Sequence, residues 1–429
     1  MVEKLPDSQK ENPPEEPIPP TRRFYIDPTK TFAALKFPNY RLWFIGQLAS
    51  LVGTWMQSTA QGYLVFQLTK SPAYLGYVGF AAGIPTWIFS LFGGVVSDRM
   101  SRRKLLIITQ SNAMILAFIL AGLTFTGVVQ PWHIIVLAFL LGVNNAFDAP
   151  ARQSFVLEMV NREFLGNAIA LNSAMFNSAT AVGPAIAGLA YAAVGPGWCF
   201  TINGISYIAV IIALSLMHFK PFVAPKLTQN TFSEMKEGLS YVFHNKTILV
   251  LIGMLGITSL FGMSYATLMP AWAVDILNGD ATTNGLLQSA RGIGALAAAL
   301  IIASMGTSVK RGKMLTIGSF VFPVLLIIFS TIRAVPLALI TLMGIGWAYM
   351  TYSNLTNNLV QHIVPDNLRG RVMSIYTLVF MGMTPFGSML GGSLAEAIGT
   401  PSAVFVCASV SLVFAVVLFI GVPSIRKLR

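Results

Sequence analysis

Charge is what this chain has least of. Aspartate, glutamate, lysine and arginine make up 10% of its 429 residues, against about 25% in soluble domains, which excludes a water-soluble globule. Carboxylates are scarcest, 16 against 28 Lys and Arg, and none falls in mid-helix in the first half, so no proton carrier is evident there. Cysteine appears twice, as Cys199 and Cys407, with neither metal-ligand spacing nor a disulfide framework, and both read as small apolar packing residues. The histidines, His133, His218, His244 and His362, fall at predicted loops or helix ends and do not group. Without clustered nucleophiles, acids or ligands there is no basis for an intramembrane enzyme, a metal or a cofactor. Residues 1–30 lack an apolar core of the kind a cleavable signal peptide needs, which leaves targeting to the first membrane helix.

What is present is long apolar sequence, and a bilayer needs about 20 such residues per helix. Leu42 to Thr69 and Ser71 to Ser97 hold one span each. Leu105 to Phe147 holds two around Gln130-Pro131, and Phe164 to Phe219 two around Gly195-Pro196-Gly197. Six more follow: Thr247 to Val274, Ala281 to Val309, Met314 to Ile332, Ala334 to Gln361, Val372 to Ala395 and Pro401 to Pro423. With both termini in the cytoplasm, 25 of the 28 cations lie in inside segments, leaving Lys70 and Arg333 outside and Arg291 within a span. The net charge of +12 then belongs to a face turned toward anionic lipid, and implies no nucleic-acid function.

Glycines repeat at fixed offsets. Gly142, Gly166, Gly188 and Gly195 recur as Gly346, Gly370, Gly392 and Gly399, displaced by 204, while Gly76, Arg102 and Lys104 recur as Gly285, Arg311 and Lys313, displaced by 209. The expected fold is an all-α membrane protein, twelve helices in two six-helix pseudo-repeated bundles. The expected segments are a disordered Pro- and Glu-rich cytoplasmic tail over 1–30, a first bundle over 31–217, a cytoplasmic connector over 218–246, a second bundle over 247–423 and a basic cytoplasmic tail over 424–429. Phe32, Leu35 and Phe37 ahead of Pro38 read either as a short interfacial segment or as a plain linker.

Between two of these runs lies Gly93-Gly-Val-Val-Ser-Asp-Arg-Met-Ser-Arg-Arg-Lys104. Gly94-x-x-x-Asp98-Arg99-x-x-Arg102-Arg103 resembles the signature loop between helices 2 and 3 of the major facilitator superfamily, with Ser101 where that family often has glycine. Gly94 suits close helix approach, and Asp98 suits a helix N-terminus or an arginine. In the second half Ala303 and Thr307 replace Gly94 and Asp98, leaving the basic remnant Lys310-Arg-Gly-Lys313. Phe147 to Phe155, Gly166 to Asn172 and Arg369 to Thr377 extend the likeness to the enterobactin exporter and the drug and macrolide efflux subfamily. The resemblance implies a multi-pass protein of the bacterial inner membrane, a monomer, exporting a small-molecule substrate by alternating access in exchange for protons. Uptake of a small solute, or a non-transporting sensor or lipid scramblase, are the alternatives. It also implies a gate in which Asp98 meets Arg152 and the start of helix 11 near Arg369 and Arg371. Asp148, four residues before Arg152, is placed to pair with it, and Asp148 and Asp275 are the candidate proton carriers.

Gln47, Ser50, Thr54, Gln57 and Gln61 recur three and four apart, so one face of helix 1 is polar. That face belongs either to a substrate cavity or to interhelical hydrogen bonds. Asn177 on helix 5 and Asn354 and Asn358 on helix 10 divide between the same two readings. Arg291 is expected in the cavity, binding an anionic group, or else paired with Asp275, Asp280 or Glu396. Gly183-Pro184-Ala-Ile-Ala-Gly188 resembles the proline-containing antiporter motif of exporters, and reads equally as a packing seam.

Overall fold

The computed structural model describes residues 32–219, 231–304 and 311–421. The tails at 1–30 and 424–429, part of the connector and the remnant loop around Thr307 lie outside these residues. A 3-10 turn, Ala33–Lys36, precedes α1 (Pro38–Thr69), where Pro38 supplies the first helical position. There follow α2 (Pro72–Arg99), α3 (Arg102–Phe125), α4 (Pro131–Met159), α5 (Leu165–Val194) and α6 (Pro196–Leu216). The connector carries α7 (Thr231–His244), and the second set is α8 (Lys246–Ile276), α9 (Ala281–Ser304), α10 (Arg311–Thr331), α11 (Val335–Ile363), α12 (Asp366–Ile398) and α13 (Thr400–Gly421). Helix α8 is interrupted by π-turns at Thr258–Gly262 and Trp272–Ile276.

Among the described residues, nine of these helices are long and apolar enough to cross a membrane, and α2 makes a tenth as two segments bent by 58°. The two long helices outside that set are α1 and α5. Gln47, Ser50, Gln57, Thr59 and Gln61 in α1 and Asn177 in α5 are buried, so these two helices trade hydropathy for polar contacts inside the bundle rather than facing lipid.

Two seams join the halves, α2 against α12 and α5 against α9, and they are copies of each other. A methyl added at Gly76 would lie 2.7 Å from the Ser388 carbonyl oxygen, and one at Gly285 would lie 2.4 Å from that of Pro184. At Gly392 it would lie 2.8 Å from the Pro72 oxygen, and at Gly188 2.7 Å from the Ala281 oxygen. Each pair maps onto the other at the offsets of 209 and 204 read in the sequence. The same holds inside the halves, where Gly142 lies over the Ala82 carbonyl and Gly346 over that of Arg291. Gly195 and Gly399, which close α5 and α12, share φ values of 87° and 85°.

Candidate functional site

The contacts between the halves gather at one end, that of the Lys70 loop. There one apolar cluster runs from Met56, Leu64 and Ala187 of the first half to Ala271 and Ala281 of the second. Thr59 Oγ1 donates to Gln288 Oε1 at 3.4 Å across the interface. Ser71 Oγ donates to Glu396 Oε2 at 2.7 Å, and the Ala73 N–H reaches the same oxygen at 3.3 Å. A carboxylate of the second half thus caps the start of α2, where the helix dipole favours negative charge. At the other end, that of Asp98, the apolar clusters are separate. One holds Tyr40, Trp43, Phe155 and Met217 of the first half, the other Ile248, Leu359 and Tyr376 of the second. Apolar contact between the halves is thus continuous at the Lys70 end, while at the Asp98 end each cluster belongs to one half.

The ion pairs of the described residues agree with this. Arg102 pairs with Glu158 and Arg152 with Asp148, both inside the first half. Arg369 pairs with Asp366 in α12, and Arg371 reaches Glu237 of α7. Arg103 donates to the carbonyls of Leu214 and Ser215 at 2.6 and 2.7 Å, closing the C-terminus of α6. Asp98 and Arg99 are exposed, and among the described residues Asp98 forms no ion pair with Arg152, Arg369 or Arg371. The contact expected from the resemblance is therefore not made among the described residues, where Arg152 is held by Asp148. Gly94 does not mediate close packing either, since a methyl there would meet nothing within 4 Å. Its neighbour Gly93 does so, with the Ala146 carbonyl 2.0 Å from such a methyl. The double glycine in the sequence was the available signal.

Asp148 lies in α4, 1% exposed. Its Oδ1 accepts from Thr109 Oγ1 at 2.7 Å and Gln110 Nε2 at 2.9 Å, and its Oδ2 from Arg152. Among the described residues it is the one carboxylate that is fully buried.

The polar face of α1 divides. Gln57 Oε1 accepts from Asn203 Nδ2 at 2.7 Å, and Thr54 Oγ1 lies 3.3 Å from the Tyr207 hydroxyl, so both bind α6 rather than line a cavity. Gln47 is 1% exposed with its Oε1 unpartnered, and Gln61 is buried. Asn177 Nδ2 donates to the Ser173 carbonyl at 2.8 Å. Asn354 is half-buried and Asn358 exposed on α11. Gly183 faces α1 at Val52 and Trp55, while Pro184 and Gly188 face α9. Arg291 is half-buried and has no carboxylate within 4.0 Å among the described residues. Two of the three expected partners are engaged elsewhere: Glu396 caps α2 and Asp280 accepts from the Thr283 N–H at 2.9 Å, while Asp275 is exposed. Sequence reasoning did not find the Glu396 cap, because nothing local marks which helix end a loop carboxylate reaches.

Two glycine-lined seams between repeated helix sets and a polar interior are the architecture of a transporter of the major facilitator class. The chain belongs to the transmembrane secretion effector family, whose model matches residues 29–427. It is 27% identical to a staphyloferrin A transporter of Staphylococcus aureus, over 84% of this chain and 90% of that one. It is 26% identical to the multidrug efflux pump Tap of Mycolicibacterium fortuitum, over 89% and 95%. To the enterobactin exporter EntS of Salmonella choleraesuis it is 24% identical, over 91% and 94%. In fold it matches the nucleoside transporter NupG with a TM-score of 0.69 at 14% identity, over 92% of this chain and 100% of that one. A bacterial homolog of the lysosomal transporter Spinster, inward-facing and unoccupied, gives 0.66 at 13% identity, over 93% and 97%. The family and these relatives are transporters, not enzymes.

Proposed function

We propose that the protein exports amphipathic small molecules, siderophore-like or drug-like, from the cytoplasm across the bacterial inner membrane in exchange for protons. The carrying observation is the asymmetry of closure: joined at the Lys70 end, separate at the Asp98 end. The distribution of lysine and arginine favours the cytoplasm for the Asp98 end, so the state described is open for loading from inside. The likeness to Tap, an efflux pump, and EntS, an exporter, favours the outward direction. In the return state the halves rock, the two seams part, and Asp98 is free to reach Arg152 and the start of α12 near Arg369 and Arg371. That cluster latches the cytoplasmic side, with Gly94, Arg99, Arg102 and Arg103 in the same loop.

Asp148 is the proton site in this reading. A buried carboxylate needs a counter-charge or a proton, and Arg152 is its counter-charge here. The testing experiment measures solute accumulation in cells lacking and overproducing the protein, with and without a proton uncoupler. Lower accumulation in overproducing cells, abolished by the uncoupler, is expected. Higher accumulation with more protein refutes export, and efflux indifferent to the uncoupler refutes proton exchange.

A further inference from the structure

We infer that the exported solute carries an anionic group of the carboxylate kind and that Arg291 receives it, an inference that rests on reading the chain as an exporter loaded between its halves. Arg291 is the eleventh residue of α9, about 15 Å along the helix axis and so near the middle of a hydrocarbon core of about 30 Å. A guanidinium stays charged in a protein. At that depth it requires an opposite charge or water, and among the described residues no carboxylate of the second half lies within 4.0 Å of it.

Two observations set the direction of the side chain. Gln288, three residues earlier and therefore on the same face of α9, touches Thr59 of the first half. Arg291 accordingly lies on the side of α9 turned to the space between the halves, one turn below the Gln288 contact toward the open end. Its near neighbours are the buried Tyr265 of α8, within hydrogen-bonding reach of the guanidinium, and the half-buried Tyr349 of α11. The half-buried Tyr349 ring and the planar cation beside it suit an aromatic or apolar body bearing a carboxylate.

The internal repeat argues against a structural role. Position 291 corresponds to Ala82 at the offset of 209, and the two make the same helix crossing, with the Ala82 carbonyl under Gly142 and the Arg291 carbonyl under Gly346. A methyl side chain serves that crossing in the first half. The guanidinium is an addition to the scaffold, present on one half only.

The test uses three dansyl probes that differ in charge: dansylglycine (anion), its methyl ester (neutral) and dansylcadaverine (cation). Each is titrated into purified full-length protein in detergent and read by dansyl fluorescence. The anion is expected to bind about 10- to 100-fold more tightly than the ester, the size of one charge-assisted hydrogen-bonded contact, with Arg291→Gln bringing the two together. Arg291→Lys loses the bidentate fork but keeps the charge, so it weakens the anion several-fold and leaves the ester unchanged. Should the glutamine variant not elute as a single species, the lysine variant decides alone. Equal affinities for anion and ester in the wild type, no saturable binding of the anion, or equal losses for both probes on substitution overturn the assignment. Failure of the export reading shows separately, as cellular accumulation that does not respond to the protein. Preference for the cation with efflux intact refutes Arg291 alone.

Discussion

Gly285→Ala tests whether the glycine seams set the balance between the two states. A β-carbon at this position lies 2.4 Å from the Pro184 carbonyl oxygen and 3.0 Å from the Gly188 Cα, against about 3.4 Å for the near edge of ordinary contact. Both obstructing groups are backbone, so no rotamer relieves them, and α5 and α9 must part by roughly 1 Å at their tightest point. Overpacking of this kind costs about 1–3 kcal/mol, charged only to the state in which the seam is closed. The equilibrium then moves about 5- to 150-fold toward the state open at the Lys70 end, and a starting ratio of about 99:1 becomes between about 95:5 and 40:60. Spin labels on Val194→Cys and Ile398→Cys, both exposed at the Lys70 end of opposite halves, read this as a second, longer distance; the native Cys199 and Cys407 are buried. Gly76→Ala, the repeat partner of Gly285, faces the Ser388 oxygen at 2.7 Å and is expected to behave alike, while Gly253→Ala, with nothing within 4 Å, leaves the distances alone. Unchanged distances in both seam variants, with the protein still monodisperse, refute the argument that these helices separate during the cycle.

Other substitutions test the two ends separately. Asp98→Asn leaves expression and the state described here intact, since the side chain is exposed and forms no ion pair among the described residues, but lowers turnover roughly tenfold by removing the latch of the return state; wild-type turnover in proteoliposomes refutes that role. Glu396→Gln keeps a hydrogen-bond acceptor but removes the charge at the N-terminus of α2, worth about 0.3–1 kcal/mol, and is expected to lengthen part of the Val194–Ile398 distribution; an unaltered distribution removes the carboxylate from the outer seal. Asp280 is held below the usual carboxylate range by its hydrogen bonds from the Thr283 backbone and hydroxyl, which outweigh desolvation. Its stabilisation is therefore complete above about pH 4 and fades as pH falls through the lowered value. Asp280→Ala should lower the melting temperature in detergent at pH 7 by the worth of one cap, about 1 kcal/mol, with the gap from wild type closing in acid; a gap that persists at low pH refutes the cap.

The fold was legible because its punctuation is local. Gln130-Pro131 and Gly195-Pro196 start α4 and α6 where the sequence places turns, since proline can open a helix but not continue one. The glycine offsets carried further, into contacts between distant segments, because a glycine retained at equivalent places in two repeats marks the same backbone approach twice. The site was harder. A polar stripe establishes that a membrane helix buries one face, yet Thr54 and Gln57 serve α6 while Gln288 serves the opposite half, and periodicity does not say which neighbour a face meets. The Asp98 gate expected from the resemblance is not formed among the described residues, because Arg152 pairs with Asp148, four residues away on its own helix.

Two seams with the same spacing favour neither half, so a difference between the halves has to come from residues that break the repeat. At the offset of 209, Ser71 at the start of α2 corresponds to Asp280 at the start of α9; at 204, Glu396 beside α2 corresponds to Ala192 beside α9. Helix α9 is capped by its own residue, Asp280, and keeps that cap whatever the other half does. Helix α2 is capped from across the interface by Glu396, and loses that partner when the Lys70 end opens. One helix start is thus indifferent to the transition and its twin is coupled to it. The same logic places Asp98 opposite Thr307 and Arg291 opposite Ala82: the shared glycines set the helix crossings common to both halves, and the unshared charges set the halves apart.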